Sequence, residues 1–184
     1  MNTRRSRNVG GSLLGIFVLG CLTGCATAMT PNVATQEDPF TGARTDFIPE
    51  NLLVSDAPTG DLVWLDAVRV FENAFDSKYY LEVRYQTLAS TGHLEIVPGQ
   101  SLHLNVDGKR MDFSGMGSVL PRKGPNGTLF EVALYQVTAA NLKAIASATK
   151  VEVTIQGRSR SVQRSFAKVN FDRFTEFVAR TTRP

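Results

Sequence analysis

The sequence predicts an α+β domain: an antiparallel β-sheet or small β-sandwich carrying two short helices, at about residues 138–148 and 170–180. Three observations carry that expectation. The run Tyr79-Tyr80-Leu81-Glu82-Val83-Arg84-Tyr85-Gln86 alternates strictly, with Tyr79, Leu81, Val83 and Tyr85 on one face and polar or amphipathic residues on the other. Leu102, Leu104 and Val106 repeat the period of two and run into Asp107-Gly108, the dipeptide favoured in two-residue hairpin turns. Two later stretches change to spacings of three and four, the period of a helix with one apolar stripe.

Taken in order from Asp61, the first element is Leu62–Phe71, apolar on both faces for much of its length, as a strand covered on both sides would be. Residues 73–77 read as a turn into the alternating strand at 79–86. The hairpin at Asp107-Gly108 continues through Met111 and Phe113, and the glycines and prolines from Gly115 to Gly127 then read as a surface loop of about a dozen residues. Leu129–Tyr135 resumes a strand, with Phe130, Val132 and Leu134 on one face. Thr138 suits a helix N-cap, and Leu142, Ile145 and Ala146 share the face behind it. Val151, Val153 and Ile155 line the next strand, Gly157-Arg158 turns, and Ser159–Phe166 forms its partner. The final helix begins near Asn170, with Phe171, Phe174 and Val178 as its stripe and a Glu176–Arg180 pair on its surface.

The segment before Asp61 has no sustained period, and Pro31, Pro39, Pro49 and Pro58 punctuate it. It reads as a tether over residues 25–60, with a turn at Asp38-Pro39-Phe40-Thr41-Gly42 and with Phe40, Phe47 and Ile48 as residues large enough to dock on the domain.

The first residues have the layout of a secretory signal. Arg4, Arg5 and Arg7 precede the apolar run Leu13-Leu14-Gly15-Ile16-Phe17-Val18-Leu19-Gly20-Cys21, and no acidic residue occurs before Glu37. The run falls short of the ~20 apolar residues that a spanning helix needs. It ends in Leu22-Thr23-Gly24-Cys25, which resembles the lipobox of bacterial lipoprotein precursors. That resemblance implies removal of residues 1–24, lipidation of Cys25, and attachment to a membrane through the lipid. A site at Cys21 fits less well because Leu19 is bulky where the lipobox has a small residue. Ala26 follows the cysteine in place of aspartate, and the resemblance then implies the outer membrane. Processing at Cys25 leaves a single thiol, itself modified, so the domain at 61–184 would fold without a disulfide.

The basic balance of the whole chain is a property of that leader. The chain has 20 Lys and Arg against 17 Asp and Glu, a net charge of +3. Residues 1–24 hold three arginines and no acid, so processing leaves equal numbers and removes the composition argument for a nucleic-acid partner. Charge is still segregated: residues 25–100 hold 11 acids and 4 bases, and residues 157–184 hold 7 bases and 2 acids. Attraction between the two ends within the fold accounts for this, as does a basic surface for a partner.

Candidate chemistry is sparse. His103, Asn105 and Asp107 line one face of a strand, but residues two apart lie about 7 Å from one another, too far for one strand face to supply a tetrahedral metal site. Gly115-Met116-Gly117-Ser118 lacks the last glycine of a nucleophile elbow. The same loop carries Arg122-Lys123 without the Gly-Lys-Ser/Thr ending of a phosphate loop. No cofactor is implied. Arg158, Arg160 and Arg164 remain as candidate contacts for an anion, because Arg160, Val162, Arg164 and Phe166 share a strand face that could grip a glycan or a lipid headgroup. The same face is equally that of arginine stems lying along a sheet and pairing with the acidic half. The sequence thus points to a periplasm-facing outer-membrane lipoprotein, a non-catalytic structural or interaction module with a possible envelope protein partner. The alternative is a module binding an anionic envelope glycan or lipid, and an envelope hydrolase comes third.

Overall fold

The computed structural model describes residues 32–55, 60–71 and 76–182, so the expected signal peptide at 1–24 and the lipidation site at Cys25 lie outside the described residues. The strands are β1 (Ala34–Glu37), β2 (Arg44–Phe47), β3 (Leu62–Phe71), β4 (Ser77–Leu88), β5 (Gly99–Val106), β6 (Lys109–Gly115), β7 (Val119–Lys123), β8 (Thr128–Val137), β9 (Val151–Gln156) and β10 (Ser161–Ser165). Helix α1 (Ala139–Ala146) separates β8 from β9, and α2 (Lys168–Thr181) follows β10. All ten strands join one antiparallel sheet in the order β1-β2-β3-β4-β8-β6-β5-β9-β10, with β7 paired to β8. This is the α+β antiparallel arrangement that the periodicities predict.

Alternation sets which side of each strand is buried. Val63, Leu65 and Ala67 of β3, Leu81, Val83 and Tyr85 of β4, Leu102 and Leu104 of β5, and Val151, Val153 and Ile155 of β9 all belong to one core cluster. Leu142 and Ile145 of α1 and Phe174 and Phe177 of α2 complete it. Thr138 caps α1 reciprocally, its hydroxyl accepting from the Asn141 N–H while Asn141 Oδ1 accepts from the Thr138 N–H.

Part of the expected tether belongs to the sheet, as β1 and β2. The turn at 38–42 is present, with Asp38 Oδ1 accepting from the Phe40 and Thr41 N–H groups and Gly42 at φ +69°. It joins β1 to β2, and β2 pairs with β3 through Thr45–Val70, Asp46–Arg69 and Phe47–Val68. Val33, Ile48 and Leu53 are buried in the core, so ordered structure begins well before residue 61. These strands leave no period in the sequence because they lie at the sheet margin, where β1 is mostly exposed and the backbone ladder does the holding.

Residues 51–54 then stitch distant strands together. The Leu53 N–H donates to the Val63 carbonyl and the Leu65 N–H to the Asn51 carbonyl, while Val54 and Ser165 exchange both backbone hydrogen bonds. A strand-like stretch of four residues thus connects β3 to β10, and the curled sheet returns on itself through it.

Two further expectations change, and the buried face of β8 is set. The span Gly115–Gly127 is not one loop: Gly115 pairs with Tyr135, and β7 continues along the same edge of β8. Gly115 permits this because a Cβ there would strike the Leu134 carbonyl and the Tyr135 ring. In β8 the buried set is Leu129, Glu131, Ala133, Tyr135 and Val137, and Leu134 is 50% exposed. The register explains this choice of face, since Tyr135 and Ala133 stand opposite buried Leu81 and Val83. Glu131 tolerates burial because its carboxylate accepts hydrogen bonds from the Leu94, Glu95 and Ile96 N–H groups. Lastly, α2 starts at Lys168, and its buried stripe is Asn170, Phe174, Phe177 and Thr181, with Phe171 and Val178 on its margins.

The buried face is directly measurable. Leu134→Ser is expected to change stability by no more than about 0.5 kcal/mol, the scale of ordinary surface substitutions. Leu81→Ala, on the opposite strand, is expected to cost about 2–5 kcal/mol. Urea unfolding of both variants checks the assignment, and comparable losses would contradict it.

Candidate functional site

The three arginines singled out in the sequence do not form one surface. Arg164 is buried, and its guanidinium is bonded to the buried carboxylate of Asp61, at the start of β3. Arg160 lies 3.7 Å from the same carboxylate and donates to the Tyr85 hydroxyl. That hydroxyl donates in turn to Asp61 Oδ2 at 3.0 Å, and burial pushes the Tyr85 phenol upward, which keeps it a donor. Arg158 points elsewhere, with Nε 2.7 Å from Glu95 and 80% of its side chain exposed. The expected anion contacts are therefore corrected: Arg164 is committed to the interior, and Arg160 serves the same acid. The charge segregation between the halves of the chain is used for these pairs. Val162 faces inward beside Arg164, as strand alternation requires.

The row on β5 is also absorbed by the fold. His103 Nδ1 lies 2.6 Å from Asp112 Oδ1, and Arg110 Nε donates to the same oxygen at 2.7 Å. Asp107 accepts hydrogen bonds from the Lys150 and Thr149 N–H groups, which hold its carboxyl below the ordinary range and fasten the hairpin turn to the start of β9. Among the described residues, no three His, Cys, Asp or Glu side chains converge to hold a metal ion. Arg122 and Lys123 lie on β7 and open no helix, so the phosphate-loop geometry is not formed.

A different cluster of arginines lines a cavity of about 410 Å³ at the sheet margin, bounded by Val33, Thr35, Arg44, Asp46, Arg69 and Arg180. β1 brings Thr35, β2 brings Arg44 and Asp46, β3 brings Arg69, and the last turn of α2 brings Arg180. Arg69 Nη2 donates to Asp46 Oδ2 at 2.5 Å, Arg44 donates to Asp46 Oδ1 at 3.2 Å, and Thr35 Oγ1 donates to the same oxygen at 2.7 Å. Arg69 Nη1 donates to the Thr181 carbonyl and Arg180 Nη1 to the Val33 carbonyl, tying α2 to the sheet. The guanidinium carbons of Arg44 and Arg69 lie 5.0 and 4.2 Å from the centroid of the Phe71 ring. Arg69 Nε is buried and has no acceptor among the described residues. Burial pushes the Asp46 carboxyl up, but the hydrogen bonds from Arg69 and Thr35 and the charges of Arg44 and Arg69 outweigh it, so the net displacement is downward. Two cations, Arg44 and Arg69, therefore hold the Asp46 carboxylate, and Arg180 lines the same cavity. Sequence reasoning missed this site because its residues come from four elements, two of them inside the presumed tether. The local signal was the pair Arg44 and Asp46 just after the turn at 38–42.

Two outcomes follow from these ion pairs. Arg164→Gln removes the guanidinium bonded to the buried Asp61 carboxylate, and is expected to cost about 3 kcal/mol in urea unfolding. An unchanged unfolding midpoint would contradict the buried pair. Asp46→Asn is expected to destabilise the protein at neutral pH. Because the folded pKa lies below the ordinary value, the wild-type advantage is complete above that value and disappears as pH falls through the folded pKa. Thermal melts of both proteins across the acidic range measure the closing gap.

No protein-family model, curated protein or solved structure matches this chain.

Proposed function

We propose that the protein is an outer-membrane-anchored, periplasm-facing lipoprotein whose domain acts as a non-catalytic structural or interaction module of the cell envelope. The observation that carries this reading is Leu22-Thr23-Gly24-Cys25 at the end of an apolar run behind three arginines. Ala26 after the cysteine supports the outer membrane as destination. A diacylglycerol with a further acyl chain holds a protein stably, because each buried methylene contributes about 0.8 kcal/mol. No described helix is long and apolar enough to cross a membrane.

The module reading is supported by how the ionisable residues are spent. Asp61, Arg160 and Arg164 serve one another, His103 and Arg110 serve Asp112, and Glu131 serves three backbone N–H groups. Such groups contribute to a unique, rigid shape.

Metabolic labelling with palmitate and mass spectrometry of the mature N-terminus test the anchor. Wild-type protein is expected to carry the lipid on Cys25 and to fractionate with the outer membrane, and Cys25→Ser is expected to lose both properties. Wild-type protein without the lipid would overturn the reading. Crosslinking in cells followed by mass spectrometry tests the module. Discrete envelope protein partners are expected, and capture of glycan adducts alone would count against it.

A further inference from the structure

We propose that the cavity lined by Arg44, Arg69 and Arg180 binds the phosphate group of an anionic membrane lipid. The charge of the lining favours an anion: it carries three guanidinium groups and one carboxylate, and with Glu176 3.8 Å from Arg180 an excess of one positive charge remains. Asp46 does not saturate them. It takes hydrogen bonds from Arg44 Nε and Nη2 and from Arg69 Nη2, and Arg69 Nε, although buried, has no acceptor among the described residues. Arg180 Nη1 is held by the Val33 carbonyl, with Glu176 at a looser 3.8 Å. Arg44 and Arg180 keep 51% and 57% of their side chains exposed, so both can turn toward a ligand at the mouth while Arg69 stays fixed behind them. Planar guanidinium groups match the paired oxygens of a phosphate. Asp46, by orienting Arg44 and Arg69, presets the donors.

Position names the source of the phosphate, and this part rests on the lipoprotein reading above. Val33 lines the cavity, and six residues separate Asn32 from Cys25, a span of seven residue-to-residue steps. That length of chain reaches at most ~25 Å when fully extended. The longer tether expected from the sequence would have let the domain range freely. The observed start of the sheet instead keeps the cavity close to the lipid surface, and the lipid anchor raises the local concentration of headgroups there.

The test uses the full mature protein purified in a non-ionic detergent and titrated with dihexanoyl phosphatidylglycerol, dihexanoyl phosphatidylcholine and inorganic phosphate. Saturable binding of the phosphatidylglycerol is expected, with weaker binding of the zwitterionic lipid. Arg44→Gln combined with Arg180→Gln is expected to weaken it at least ~10-fold, as loss of charge-assisted hydrogen bonds does. Arg158→Gln removes a cation from a remote exposed position and is expected to change it less than ~2-fold. Circular-dichroism melts verify that all variants fold. Equal losses at Arg158 and at the cavity would reduce the effect to general attraction and overturn the site. Binding of inorganic phosphate without the lipid would overturn the lipid as its occupant, and no saturable binding of either would overturn both. The mass of the same preparation reports the anchor separately: binding by a protein with no lipid on Cys25 removes the lipoprotein reading and leaves the site standing.

Discussion

The backbone hydrogen bonding of residues 51–54 is the constraint on which the rest of the structure depends. The N–H and C=O groups along a sheet must find partners, and buried groups without them are costly. Here a short stretch does so on two sides, bonding to β3 through Val63 and Leu65 and to β10 through Ser165. Asn51 adds a third connection. Its Nδ2 donates to the Leu65 carbonyl, its N–H donates to Asp66, and its Oδ1 accepts from Asn170 of α2 at 2.8 Å. Asn170 also holds the N-terminus of α2 by accepting from the Ala167 N–H, so one pair of buried amides fixes the sheet, the closing segment and the helix together.

Electrostatics follow the same geometry. Once the helix and β10 are placed, the basic end of the chain lies against its acidic beginning, and ion pairs that are distant in sequence become local in space. Asp61 with Arg164, and Glu95 with Arg158, are examples. The buried pair of Asp61 with Arg164 contributes less net stability than its Coulomb attraction suggests, because both partners lose hydration. The consequence of the ion pairs is specificity: register and helix position are tied to particular partners. Asp66 shows the tension, since burial raises its carboxyl pKa while Arg84 and the Asn51 N–H act in the opposite direction.

A functional reading of the molecule therefore turns on which cations the fold leaves available. The arginines of β10 are alike in sequence and unlike in place. Arg164 is consumed by the core, whereas Arg44 and Arg180, unremarkable in sequence, stand at the mouth of a cavity beside the point where the chain enters the domain. If Cys25 carries the proposed lipid, proximity to that entry point places the cavity near the membrane surface.

The sequence by itself determined the alternating strands, the Asp107-Gly108 turn, the cap at Thr138 and the class of the fold, because each depends on residues within one turn or one strand of each other. It also contained the turn at 38–42, though not the two strands that the turn connects. Only the tertiary structure decided what required a neighbour. The inward face of β8 was set by its register against β4, and Glu131 could lie inside only because the Leu94–Ile96 backbone supplied donors. β1 and β2 were held by a ladder that leaves no apolar period, and the arginine cavity was assembled from four elements. Local propensity and periodicity report what a segment can form, whereas the partner that satisfies a buried charge or a sheet edge comes from elsewhere in the chain.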